Sequence, residues 1–249
     1  MPSNFIRTVV VVALALSSMG ANAQQRPVND TGVISCTNEG WAGVTCESVN
    51  ITLPGQDAVF GRDALSVVGS LNKTGSGRRG FDLTKIGADG SVVPATAGFG
   101  NAAGQYRCVR DNTTGLVWEA YAELHYWRDP NPATNGGFIG TENSGDTTDA
   151  YVSAANSNPS GRCNRTNWRL PTVRELLSAA SFERTNGLGW GDYAYFNSVQ
   201  EAWLWSAQTD PARPELVSMV ALTWGGATPT SVQMFSKLSR QWTVLVSSQ

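Results

Sequence analysis

The stretch CNRTNWRLPTVRELLS, Cys163 to Ser178, decides the fold. Its second half reads as a helix. Val173, Leu176, Leu177 and Ala180 fall at i, i+3, i+4 and i+7 and make one apolar face. Thr172 can cap that helix, and Glu175 three residues on completes a capping box. Pro171, just before the cap, cannot extend the helix backward. Arg165, Arg169, Arg174 and Glu175 surround the helix start, and arginine suits several directed bonds at once. We read them as an internal network that fixes the turn.

Outward from this stretch the pattern changes. Upstream, a second helical pattern spans Thr148 to Asn156, with Tyr151, Ala154 and Ala155 on one side. Before it lies a long polar stretch, Arg128 to Thr148, carrying Gly136, Gly137, Gly140 and Gly145. A loop of that length inside a compact domain is usually functional or disordered. Leu116 to Trp118 reads as a short strand, and Phe81 to Val93 as a hairpin around Asp89-Gly90. Downstream, Ala202–Ala207, Leu216–Trp224 and Val232–Leu238 read as strands. In the last run Trp242, Val244 and Val246 alternate with Thr243, Leu245 and Ser247, the period of a strand. Helices followed by antiparallel strands define an α+β domain.

The chain start has the three parts of a secretory signal: Arg7, the apolar run Thr8–Leu16, and the small-x-small site Ala21-Asn22-Ala23. We expect residues 1–23 to be a cleaved leader. The apolar run falls short of the about 20 residues that cross a bilayer, and no later stretch reaches that length. No cysteine follows Ala23 to carry a lipid. The expected compartment is therefore the periplasm, the cell surface or the medium. Residues 24–80 read as an N-terminal extension with a short cysteine loop and a Gly/Ser linker (Gly69–Gly80), and residues 81–249 as the main domain.

Lys and Arg number 18 against 20 Asp and Glu, a net charge of −2, and loss of the leader removes Arg7. Such a chain has no general attraction to nucleic acid, heparin-like polymers or anionic membranes. Four cysteines suit an oxidising compartment and allow three pairings. Cys36–Cys46 with Cys108–Cys163 is favoured: the first closes a loop holding Gly40 and Gly43, and the second ties two segments of the main domain. In the chain-entropy account these closures contribute roughly 3 and 4 kcal/mol. Zinc is disfavoured, because the chain has no C-x-x-C pair and a single histidine.

Three strings in order, CVRDNTTGLVWE (Cys108–Glu119), CNRTNWRLPTVRELLS (Cys163–Ser178) and WLWSAQ (Trp203–Gln208), resemble the Lcl C-terminal domain family. That family is named after a collagen-like surface adhesin, and most of its members are exported bacterial proteins. The resemblance extends over residues 55–249, with Trp168, Arg169, Pro171 and Glu175 as its structural motif. Asn167 stands where the family usually has Asp, and Ala207 where it usually has Ser. WRLPT followed by a helix with a Glu also looks like the formylglycine-generating enzyme group, a variant of the C-type lectin fold. The resemblance implies a C-type lectin-like domain with two short helices against a small twisted antiparallel sheet. It further implies an exported, non-catalytic binding module for a carbohydrate or a cell-envelope protein.

Trp127, Trp190, Tyr193 and Tyr195 lie in polar or Gly-rich surroundings and are the rings best placed to stack on a sugar, with core packing the preferred reading. Glu142, Asn143, Asp146 and Asp149 offer oxygens to calcium; their spacing matches no defined loop, and a solvated loop is preferred. An enzyme would have to use His125, the only imidazole, which has no nucleophile motif nearby. Reactive cysteines like those of the formylglycine-generating enzymes are missing after Cys163. A hydrolase or oxidase thus ranks below a structural envelope component acting by self- or partner association, and both rank below the binding module.

Overall fold

The computed structural model describes residues 28–38, 41–46, 55–141, 145–182, 192, 194–196, 203–221 and 231–248. The expected leader lies outside them. A ribbon of β1 (Cys36–Asn38) and β2 (Trp41–Val44) precedes helix α1 (Gly61–Val67). Strands β3 (Leu83–Ile86), β4 (Cys108–Asp111), β5 (Leu116–Glu119) and β6 (Glu123–Tyr126) follow. Next come α2 (Thr148–Ser157), β7 (Trp168–Arg169) and α3 (Val173–Ala179). Then come β8 (Trp203–Thr209), β9 (Leu216–Ala221), β10 (Ser231–Ser236), β11 (Arg240–Thr243) and β12 (Val246–Ser248). The α+β class is as expected, but a third helix and a second five-stranded sheet exceed the two helices and small sheet implied by the resemblance. Helix α1 carries no apolar stripe for a sequence reading to find, since its Leu65 and Val67 are exposed.

Local chemistry explains α3. The Thr172 hydroxyl accepts from the Glu175 amide at 3.2 Å, and the Glu175 carboxylate accepts from the Thr172 amide at 2.8 Å. The capping box read from sequence is therefore formed. Leu176 and Ala179 are buried with Trp118, Leu204, Val220 and Val244 in the largest core cluster. A second cluster places Tyr151 and Ala155 of α2 over Val117, Trp168 and Leu245.

The sheets run β10-β9-β8-β11-β6 and β3-β4-β5-β12-β7. Their pairs are antiparallel except β11 with β8, which meet at Trp242 and Leu204. The chain passes between the sheets four times, after β5, β6, β7 and β11. The last passage corrects the expected single last strand. Arg240–Thr243 pairs with β6, whereas Val246–Ser248 pairs with β5 and β7. Val244, Leu245 and Val246 are all fully buried, so the alternation of types there does not mark an inner and an outer face. The hairpin expected at Asp89-Gly90 forms as a short one: Gly87 N donates to Ser91 O at 2.8 Å, Val93 N to Lys85 O at 3.1 Å, and Ile86 meets Val92 in an antiparallel bridge. Along its length β3 also pairs with β4.

The Gly/Ser stretch before β3 is bonded to the body along much of its length. Asp82 accepts from the amides of Thr74 and Gly75 at 2.8 and 2.7 Å. Asp63 accepts from Gly32 N and Gly80 N, both at 2.7 Å, and Ser76 meets the Tyr195 hydroxyl at 2.7 Å. A side chain at Gly75 would run into the Leu83 carbonyl, so the strand approaches too closely for any other residue. The arm at residues 28–32 is tied as well: Asn29 donates to Asp111, and Phe182 N to Thr31 O.

Both expected disulfides are formed, Cys36–Cys46 and Cys108–Cys163. The second brings Arg162 to Glu119, because Cys108 faces Glu119 across the β4–β5 ladder and Arg162 precedes Cys163. The Glu119 carboxylate is fully buried and takes bonds from Arg162, from the Tyr151 hydroxyl at 2.9 Å and from Leu245 N at 3.3 Å. Burial pushes this carboxyl above its ordinary range, against the pull of Arg162.

Two outcomes follow for stability. Arg162→Ala strands a buried charge and should cost about 3–5 kcal/mol in denaturant unfolding. Adding Glu119→Gln should recover part of that loss, and equal stability of the two variants would contradict the account. Deleting residues 24–80 should abolish the cooperative thermal transition seen by circular dichroism. A truncated chain melting like the intact one would show that the segment is dispensable.

Candidate functional site

A cleft of about 530 Å³ opens between the start of the long loop and the two helices that flank β7. Trp127, Arg128, Asp129, Pro130 and Thr134 line one side. Thr148, Asp149, Val152 and Ser153 line the other, at the i, i+1, i+4 and i+5 positions that share one face of α2. Arg169, Leu170 and Thr172 contribute from the turn into α3, and Ala207 from β8. The volume falls within the roughly 300–1,000 Å³ usual for small-ligand sites.

Its charged groups are internally paired. Arg128 forms an ion pair with Asp149, whose other oxygen accepts from Thr147 at 2.6 Å. Arg128 N and O both bond the Thr148 hydroxyl at 2.9 Å, fastening the loop to the first turn of α2. Arg169 grips Glu175 with two bonds, at 2.8 and 2.6 Å, and donates to Leu170 O. Burial pushes the Glu175 carboxyl up, but the Arg169 fork and the Thr172 amide outweigh it and hold it below the usual range. Arg169 is thus oriented by the same carboxylate that caps α3.

The loop wall is latched from beneath by Lys237, in the turn after β10. This side chain has no exposed surface. Its ammonium donates to Asn135 O at 2.8 Å and Phe138 O at 2.7 Å, and sits 4.2 Å from the Trp127 ring. Burial lowers its pKa to about 8. The loop also bonds itself: Asp129 accepts from Asn131 N at 2.9 Å and from the Thr134 hydroxyl, and the Asn135 amide donates to Asp129 O. Gly140 has φ +98°, and a side chain there would meet the Trp127 carbonyl. The stretch expected to be functional or disordered is, over its described part, a built wall.

The sequence candidates fare differently. Trp127 lines the cleft but is fully buried, its indole donating to Ser206 O at 3.0 Å with Lys237 over the ring. Tyr195 is 4% exposed and bonds Ser76, so neither ring offers a free face to a sugar. Trp190 and Tyr193 lie outside the described residues, as do Glu142 and Asn143. Asp149 faces Arg128, and Asp146 faces His125 at 2.7 Å and Arg240, so cations already hold these carboxylates. Among the described residues no group of three or more His, Cys, Asp and Glu side chains could hold a metal. His125 is stacked on Tyr151 at 4.3 Å. Of the family motif, Trp168 and Pro171 are buried, and Ala207 N donates to Pro171 O at 2.8 Å.

Sequence reading missed Lys237, Leu170 and Ala207. Lys237 stands in VQMFSKLS and has the look of a surface lysine; only the fold shows its position under the loop.

A model of the Lcl C-terminal domain family matches residues 107–244, and the chain belongs to that family. Every residue named in the cleft falls inside the match. Comparison with curated proteins and with solved structures gave no match.

The Lys237 latch has a pH signature. The folded amine releases its proton near pH 8, whereas the unfolded chain holds it to about 10.5. Over that interval the unfolded state binds more protons, so this group makes stability rise with pH. In Lys237→Met the gain between about pH 7.5 and about pH 9.5 should shrink. The two stranded carbonyls should cost about 1–3 kcal/mol near neutrality, with faster amide exchange in residues 129–138. Unfolding midpoints and exchange rates that match the parent at both pH values would remove the latch.

Proposed function

We propose that the protein is an exported, non-catalytic binding module of C-type lectin-like architecture that holds its ligand in this cleft. The ligand is a carbohydrate or a cell-envelope protein. The observation that carries the reading is the cleft itself: a built concavity with a fastened wall, whose arginines are satisfied by their own carboxylates. Paired groups of this kind hold a shape; they are poorly placed to exchange protons with a substrate. Export is supported by the leader-like start and by the two disulfides. No helix among the described residues is long and apolar enough to cross a membrane.

A second reading, a structural envelope component, draws on α1. Phe60, Val67 and Val68 are 60%, 60% and 67% exposed, an apolar group suited to association.

The test uses Ser153→Trp, an exposed cleft position where the indole fills the space without entering the core. Parent and variant are compared on a glycan array and in pull-downs of envelope proteins, with sedimentation at rising concentration alongside. Binding by the parent that the equally stable variant loses is the expected result. Binding that survives the filling, or oligomers without any ligand, moves the function away from the cleft.

A further inference from the structure

The chemistry of the cleft narrows the ligand, an inference that rests on the binding-module reading. Its lining pairs apolar groups, Pro130, Val152, Leu170 and Ala207, with two guanidiniums, Arg128 and Arg169. Each guanidinium already has a carboxylate partner, so neither is a ready receptor for a free anion. A sugar wants a free ring platform and many unspent polar groups. The aromatic residue in the described lining is Trp127, which is sealed, with its indole N–H spent on Ser206 O.

An aromatic ring fits what is left. Arg169 is the more open of the two guanidiniums, its side chain 41% exposed. The Glu175 fork and the Leu170 carbonyl hold it through its N–H edge. A guanidinium held by its edge keeps its face for stacking, where a ring quadrupole is attracted to it. We propose that the cleft takes the aromatic side chain of an extended segment of a partner protein, seated among Pro130, Val152 and Leu170 with Arg169 against its ring. The about 530 Å³ of space exceeds one side chain and leaves room for the flanking peptide backbone.

The probes are capped tripeptides Gly-X-Gly, with X as Phe, Tyr, cyclohexylalanine, Leu or Ala, and a set of neutral oligosaccharides. They are titrated against the protein while the amide resonances of residues 128–134, 148–153 and 169–172 are followed. Cyclohexylalanine matches Phe in size but lacks the quadrupole, so the comparison needs no change to the fold. Phe and Tyr should shift these resonances and bind about two- to fivefold tighter than cyclohexylalanine. In Arg169→Gln, checked for an unchanged melt, the charge is gone and that preference should fall to parity while apolar binding remains. Cyclohexylalanine binding as well as Phe overturns ring recognition. Oligosaccharides moving the cleft resonances while the peptides do not overturns this inference and leaves the binding-module reading standing. Silence from every probe at the cleft overturns both.

Discussion

A carboxylate with no contact to water is the constraint on which the rest of the fold depends. Glu119 ends β5 fully buried. An unpaired charge there would cost more than the fold can supply, so its partners have to arrive together. They come from α2 through Tyr151, from the turn before Cys163 through Arg162, and from the passage between β11 and β12 through Leu245 N. The Cys108–Cys163 disulfide makes this meeting local, since Cys108 lies opposite Glu119 and Arg162 adjoins Cys163. The passages after β5 and after β11 converge on this point: Glu119 N also donates to Leu245 O at 3.0 Å. The electrostatic demand of one residue and the topology of two sheets are thus aspects of the same arrangement.

What could be read in advance depended on how local its cause was. Helix α3 was legible because its cap, its box and its apolar face all fall within nine residues of sequence, Thr172 to Ala180. The disulfide pairing was legible from loop lengths and context. The division of the last run into β11 and β12 was not, because Val244 to Val246 are enclosed on every side and period carries no information there. Nor was the fastening of residues 69–80. Its bonds run from backbone amides to buried carboxylates, Asp63 and Asp82, and such bonds ask nothing of amino-acid composition. The resemblance placed the class of fold but undercounted the sheets.

The cleft shows the same division. The length of the Arg128–Thr148 stretch marked it as a place where function gathers, and it does form a wall. Trp127 was a candidate sugar platform because its neighbours in sequence are polar, with core packing the preferred reading, and it is core. Its neighbours in space are the Ser206 carbonyl and the Lys237 ammonium, contributed by segments about 80 and 110 residues away. A ring with its N–H satisfied and a cation on its face is a structural member. Of the turn-fixing set anticipated, Arg169 and Glu175 do bond each other and, with Thr172, fix the start of α3, whereas Arg165 reaches Ser248 O at 3.0 Å instead; Arg169 and Thr172 also line the cleft.

The position of the disulfide has one more consequence. Cys108 and Cys163 bracket the loop that forms the cleft wall, so residues 109–162 belong to a covalent ring. Where proteases meet a folded protein, an exposed polar loop is where they cut. A cut between Pro130 and Thr134 would open the backbone but release no fragment, because the two ends stay joined through sulfur. The buried lysine and the threonine clasp would still hold the severed ends against the body. A cut in this exposed stretch would therefore leave the wall in place.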